Sequence, residues 1–158
     1  MSDPTRIFLA ETDADLARCF PVMVQLRPKL TPADFLARVR RQAAQGYRLA
    51  ALESADTGPA SAGPSRTVRS LAGFRLMEML YSGPQLYIDD LITDSASRSQ
   101  QHGEKLFAWV RDFAIAHGCA ELHLDSGVHR AAAHRFYFRQ RMFIDDFHFA
   151  LKLPAPPA

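Results

Sequence analysis

The sequence predicts a mixed α/β (α+β) fold in which a largely antiparallel sheet is covered by helices. Two long apolar segments, 68–77 and 85–93, flank a Ser82-Gly83-Pro84 turn and read as an antiparallel pair. The second leads through a helical pattern over 101–117 into a short alternating strand at 122–125, and this strand–helix–strand unit makes the sheet mixed. With 158 residues, 47% hydrophobic and 23% charged, the chain has the composition of one globular domain, 1–153, followed by a frayed 154–158 tail.

Each element has a local cause. Residues 6–11 form a short first strand. Asp13 is the expected N-cap of a helix whose Leu16, Phe20 and Met23 share a face, and Pro21 should bend or end that helix early. Thr31-Pro32-Ala33-Asp34 opens a second helix with a cap hydroxyl, a proline at the first helical position and an acid in the first turn. Phe35, Val39 and Ala43 carry its apolar stripe as far as Gly46, and 47–53, free of Gly and Pro, is the next strand. Residues 54–66 are small, polar and rich in Gly and Pro, as a flexible hairpin tip would be. Leu106, Val110, Phe113 and Ala114 mark one face of the helix that Gly118 ends. A last helix over 130–139 precedes a final strand at 143–153.

Composition removes several classes of function. Nineteen basic against seventeen acidic residues leave a formal charge of +2, too balanced for a purely electrostatic binder of nucleic acid or membrane. Cys19 and Cys119 match no zinc or CxxC spacing and read as free thiols of a reducing cytosol. No basic n-region precedes an apolar h-region, and no apolar run approaches eighteen residues, so a cytoplasmic chain without membrane contact is expected.

The informative junction is the strand LYIDDLITD, the link SAS, and then Arg98-Ser99-Gln100-Gln101-His102-Gly103-Glu104 opening a long helix. The first N–H groups of a helix lack intrahelical partners, and its dipole places partial positive charge there, so this turn offers a seat to phosphate or pyrophosphate. Many strand–helix turns with one Gly and one Arg bind nothing. This one has neither the lysine and spacing of a P-loop nor the GxGxxG of a dinucleotide site.

The run 86–143 resembles the GNAT superfamily of acyl-CoA N-acyltransferases, whose signature is a strand, (Q/R)xxGx(G/A), a helix, a strand and an AxxxY helix. Arg98 and Gly103 match in place, Gln101 stands where the first Gly is usual, and Ala133-His134-Arg135-Phe136-Tyr137 resembles the AxxFY segment. The element order of the whole chain agrees with that family's.

The resemblance implies a GNAT-like fold with a central splayed parallel pair. It also implies an N-acetyltransferase that moves an acetyl group from acetyl-CoA to a primary amine of a small molecule or peptide by direct attack in a ternary complex. Main-chain groups of Leu91, Ile92 and Thr93 would meet the pantetheine arm. The N–H groups of Ser99, Gln100, Gln101, His102, Gly103 and Glu104, beside Arg98, would hold the pyrophosphate, and Arg130 and Ala133 would complete the cofactor set. Tyr137 takes the place of the general acid that reprotonates the leaving thiolate, a role open to a phenol of reference pKa near 10. Asp89 matches a position where some relatives carry a catalytic Glu and is favoured as the base, with Asp90 or a water chain as alternatives. Alternation sends the two carboxylates to opposite faces unless a bulge intervenes.

Three positions depart from the family pattern: Gln101 for Gly, Arg130 for Asn, and Arg141-Met142 for Gly-Phe. Gln101 fits if its φ is negative, because a side chain is penalised in the left-handed region. Dimers are common among relatives, and a homodimer is expected.

Other constellations read as structural. His129 and His134 are five apart and have no acidic or Cys partner at useful spacing, so no metal is expected. His-Leu-Asp-Ser at 123–126 has triad letters but no GxSxG elbow. Arg38, Arg40, Arg41 and Arg48 read as a solvated face, and no nucleic-acid partner is expected. Asp145 and Asp146 would draw a cationic acceptor, Arg27 and Lys29 an anionic one, so the acceptor's charge stays open. The rival reading is a non-catalytic acyl-CoA sensor or interaction module, and a basic nucleic-acid adaptor is the third.

Overall fold

The computed structural model describes residues 5–56 and 65–154. Two compact units divide the chain, Met1–Leu124 and Asp125–Ala158. The first holds a five-stranded sheet in the order β1 (Thr5–Leu9), β2 (Tyr47–Ala55), β3 (Arg66–Met79), β4 (Gly83–Thr93) and β5 (Glu121–Leu124). The pairs from β1 to β4 are antiparallel and β4/β5 is parallel, so the sheet is mixed, as the sequence predicts. The parallel pair stands at the edge of the described sheet rather than at its centre.

Helices cover both faces. Helix α1 (Asp13–Leu26) and helix α2 (Pro32–Ala43) bury Leu16, Cys19, Val22, Met23, Phe35 and Val39 against Tyr47, Leu49, Ala51 and Leu71 of the sheet. The opposite face receives α3 (His102–Ala116), where Phe74 meets Trp109 and Phe113 edge-on at 6.5 and 5.2 Å. Strand β2 is buried on both sides from Leu49 to Glu53, the mark of a strand between two helical layers.

The N-cap of α1 is Thr12, not Asp13: its hydroxyl accepts from the Asp15 N–H at 3.1 Å while Asp15 reaches back to the Thr12 N–H at 3.2 Å, a capping box. The helix also runs through Pro21 to Leu26. A helix-interior proline costs about 3 kcal/mol, whereas each fully buried Leu, Val or Met contributes about 1.5–3 kcal/mol, so the buried stripe on both sides of Pro21 outweighs the lost amide. Helix α2 begins as expected, with Thr31 capping Asp34 N–H and Pro32 at its start. Helix α3 ends at Gly118, whose φ of 73° carries the left-handed turn; its N–H bonds Ile115 O and the Cys119 N–H bonds Ala114 O. The Cys19 thiol is fully buried and burial pushes it up to about 12, which leaves it inert.

Among the described residues of this unit one carboxylate is buried. Glu53, 2% exposed at its side chain, is gripped by Arg18 of α1, by Arg66 Nε at 3.0 Å and by Arg6 Nη1 at 3.7 Å. It therefore ties β1, α1 and β3 to β2. Of the basic patch on and after α2, Arg40 pairs with Asp13 and Arg48 lies over Phe113 at 5.5 Å.

The second unit contains α4 (Ala131–Arg139). Its C-terminus closes in a Schellman arrangement, with Arg141 N–H to Phe138 O at 2.9 Å and Met142 N–H to Tyr137 O at 3.1 Å, and Arg141 takes the left-handed position at φ 64°. The final strand expected at 143–153 does not form: these residues lie outside any strand or helix, and Phe147, Phe149, Leu151 and Leu153 are exposed. Period-two alternation records a preference for a pleated surface, but a strand exists only where another strand takes its hydrogen bonds. The 54–66 hairpin tip and the 154–158 tail fall largely outside the described residues. No described helix is long and apolar enough to cross a membrane.

Glu53→Gln, which leaves three guanidinium groups without their common counter-charge, should lower stability by about 2 kcal/mol, toward the low side for a broken buried pair because the arginines remain partly solvated. Arg6→Ala, removing the longest and most exposed contact, should cost under about 0.5 kcal/mol. Urea denaturation of the two variants checks this order, and equal losses would refute it.

Candidate functional site

Strand β4 outlasts its parallel neighbour. Pairing with β5 runs from Gln85↔Glu121 to Ile88↔Leu124 and stops, so residues 89–93 of β4 have no strand on that side among the described residues. The other side stays paired with β3 as far as Thr93↔Ser70. Main-chain groups of Leu91, Ile92 and Thr93 thus lie along an open slot. An amide-bearing chain laid there can take the hydrogen bonds a sixth strand would take.

A bulge lies where the slot begins. On β3, Gly73 pairs with Asp90 and Phe74 with Ile88, which leaves Asp89 as the extra residue of β4. This resolves the question that alternation raised. Both carboxylates meet partners from the α1/α2 side: Asp89 Oδ2 accepts from Arg75 Nε at 2.9 Å, while Asp90 accepts from Arg27 Nε at 2.8 Å and from the Tyr47 hydroxyl at 2.9 Å. The Asp89 carbonyl accepts from Arg27 Nη2 at 3.1 Å. Burial and the Asp90 charge push the Tyr47 phenol well above its ordinary value, so it donates.

The chain then turns toward α3. The end of α1 holds this turn with one amide: Gln25 Nε2 donates to Asp94 Oδ1 at 2.9 Å and its Oε1 accepts from Ser95 N–H at 2.9 Å. Ser97 Oγ bonds Asp94 Oδ2 at 3.0 Å, and the Asp94 N–H bonds Arg69 O at 2.8 Å. The Gln25 amide first, with Ser97 assisting, holds the Asp94 carboxyl below its usual range. After one 3-10 turn over Ser95–Ser97, Ser99 and Gln101 both adopt left-handed backbone, φ 64° and 61°. Gln101 is the N-cap of α3 and supplies no side-chain cap, so the first N–H groups of the helix are not met by it. The negative φ that would have suited a side chain at 101 is therefore not adopted. Gln101 takes the glycine-like conformation at a strain of about 1–2 kcal/mol.

His102 sits at the first position of α3, 6% exposed, and its Nδ1 is buried without a hydrogen-bond partner. Burial first, then the Arg69 and Lys105 charges, lower its pKa, so it is neutral near pH 7. The first N–H groups of α3, which the Gln101 side chain does not cap, fit an anionic ligand such as a pyrophosphate, whose oxygens accept from them.

The first unit thus brings together Asp89, Leu91, Ile92, Thr93, Arg98, Ser99, Gln100, Gln101, His102, Gly103 and Glu104 on one strand and the turn that follows it. The other three predicted site residues lie in the second unit. Arg130 is the N-cap of α4, and Ala133 and Tyr137 lie within that helix. Burial raises the Tyr137 phenol above its ordinary value, while the Arg130 charge pulls the other way, so the hydroxyl stays protonated. Among the described residues no group of three or more His, Cys, Asp or Glu is placed to hold a metal ion. Sequence reasoning missed Tyr47, Arg75 and Gln25. A lone Gly73 inside a long strand was the available signal, since it marks a bulge or a close approach.

Residues 21–142 match the profile of the Acetyltransferase (GNAT) family. An uncharacterized N-acetyltransferase of Bacillus subtilis (strain 168), YhdJ, is 30% identical over 122 residues, 77% of this chain and 79% of that protein. An integron cassette protein from the mobile metagenome of V. cholerae superposes with a TM-score of 0.76 at 16% identity, covering 98% of this chain and 94% of the other. Glucosamine-6-phosphate N-acetyltransferase from Arabidopsis thaliana does so at 0.69 and 18%, covering 96% and 100%. The class these define is the acyltransferases. The chain belongs to the GNAT acetyltransferase family.

Relieving the left-handed strain at 101 should be nearly offset by the added freedom of a glycine in the unfolded chain, about 0.4–1 kcal/mol, so Gln101→Gly should change stability by under about 1 kcal/mol. Gln101→Val, β-branched in a left-handed position, should lose about 1–2 kcal/mol. Chemical denaturation measures both, and a Val variant as stable as the Gly variant would contradict the backbone assignment.

Proposed function

We propose that the protein transfers an acetyl group from acetyl-CoA to a primary amine by direct attack in a ternary complex. The observation that carries this reading is the side of β4 that has no strand partner beyond Ile88 among the described residues, which leads past a pair of carboxylates to a helix N-terminus without a side-chain cap. Acetyl-CoA supplies the activated thioester. Leu91, Ile92 and Thr93 would receive the pantetheine along the slot, and a main-chain N–H there would polarise the carbonyl oxygen as charge develops on it. The turn 98–104 would take the pyrophosphate, with Arg98 as a cationic neighbour.

An amine must lose a proton before its nitrogen can attack. Asp89 is better placed to accept it than Asp90, because one donor holds Asp89 whereas Tyr47 and Arg27 occupy both oxygens of Asp90. Tyr137, kept protonated by burial, would give its proton to the departing thiolate. Small-molecule and peptide amines both remain within the reading, as does a homodimer in the cytoplasm. A second reading, acyl-CoA binding without turnover, draws support from the engagement of both carboxylates by arginines.

Calorimetric titration should give acetyl-CoA a dissociation constant on the order of micromolar, and a panel of primary amines followed by thiol release should yield a substrate. Binding without release from any amine would favour the sensor, and absence of binding at millimolar ligand would refute both. Tyr137→Phe should lower kcat by about 10²-fold or more while leaving acetyl-CoA affinity within about threefold. Because its phenol is raised rather than lowered, the alkaline limb of the wild-type pH–rate profile should lie above the ordinary phenol value of 10. Equal turnover in the Phe variant would remove Tyr137 from the chemistry.

A further inference from the structure

We infer that Tyr47 is a positioning residue: it reaches across β3 through a slot that only glycine can open, locks Asp90 in place, and so leaves Asp89, held by one donor rather than two, as the carboxylate of the bulge that takes a proton. The inference rests on the acetyl-transfer reading for its kinetic consequence, but not for its geometry.

Tyr47 opens β2 and is 4% exposed, yet its hydroxyl bonds a residue two strands away, Asp90 of β4. The path crosses β3 at Gly73. A Cβ at that position would stand 1.9 Å from the Tyr47 oxygen and 2.5 Å from Cζ, so every other residue would expel the ring. The neighbouring Arg75 packs its guanidinium over the same ring at 5.9 Å and holds Asp89 with Nε.

The two carboxylates are consequently unequal. Asp90 Oδ2 accepts from Tyr47 at 2.9 Å and Oδ1 from Arg27 at 2.8 Å, so each of its oxygens already has a donor. Asp89 Oδ2 accepts from Arg75, and Oδ1 has no partner among the described residues. The charged and titratable groups that face the pair are Tyr47 from β2, Arg75 from β3 and Arg27 from α1. Without the phenol, Asp90 loses one of the two donors that orient it. A carboxylate free to turn beside Asp89 then competes with it for the proton of the amine. The raised pKa of the Tyr47 phenol keeps it a donor across the working range.

The test uses the full chain with residue-specific carboxyl NMR titrations of Asp89 and Asp90, run alongside the pH dependence of kcat/KM for whichever amine the thiol-release screen identifies. In Tyr47→Phe the Asp90 carboxyl signals should differ from those of the wild type and kcat should fall by about tenfold, while the KM for acetyl-CoA changes by under about threefold. In an Asp90→Asn background the same Tyr47→Phe change should have under about a twofold effect on kcat, because the group it positions has gone. Replacing Tyr47 alone by 3-fluorotyrosine, which keeps the ring's shape and the donor, should leave kcat within about twofold of wild type and so tests the proposal even if the Phe variant fails to fold. Unchanged Asp90 signals in a folded Phe variant would overturn the proposal. Equal effects of Tyr47→Phe with and without Asp90 would overturn it as well. If no amine is acetylated, the transfer reading falls while the NMR titrations still decide the role of Tyr47.

Discussion

The early end of β5 is the constraint on which the site depends. A parallel strand of four residues, Glu121–Leu124, pairs with only the first half of an eleven-residue β4. Beyond Ile88 one row of β4 main-chain groups has no ladder among the described residues. Unpaired edges are a hazard in a sheet unless something covers them, and here the same row leads into the N-terminus of α3, which is short of acceptors in its turn. Donors and acceptors of the slot and donors of the helix end thus form one continuous polar track. A long thioester carrier with amides at one end and phosphates at the other matches that order.

The end of α1 fixes this track at two points. Gln25 holds the turn at Asp94 and Ser95, and two residues later Arg27 holds Asp90 and the carbonyl of the bulged Asp89. A bulge frees a backbone carbonyl from the ladder, and Arg27 satisfies it. Because α1 is itself anchored by Leu16, Cys19, Val22 and Met23 in the core, the bulge and the turn are referenced to one rigid body. The turn of α1 that continues past Pro21 carries Gln25 and leads to Arg27 at the C-cap.

Most elements were legible in the sequence because their periodicities are set by burial, and 47–53, 85–93 and 101–117 lie within a few residues of where the structure has them. The turn 98–104 was legible because Arg98 and Gly103 stand in it at a recognisable spacing. Its backbone was not. Ser99, Gln101 and Arg141 all adopt left-handed conformations without being glycine, and one-letter patterns report the usual occupant of such a position rather than the strain a chain will bear there. The bulge was also hidden, since it is a property of the register between two strands. Only Gly73 betrayed it, and only together with a tyrosine 26 positions earlier whose ring needed that space. The segment 143–153 was misread for the opposite reason: its alternation was clear, but alternation does not specify a partner.

Amide hydrogen exchange with and without acetyl-CoA tests the central claim most directly. Bound ligand should slow exchange in two separated stretches, Leu91 to Thr93 and Ser99 to Glu104, with little change along β2 or the core of α1. Protection confined to one of the stretches, or spread evenly over the sheet, would contradict the account of β4 and the α3 N-terminus as a single binding track.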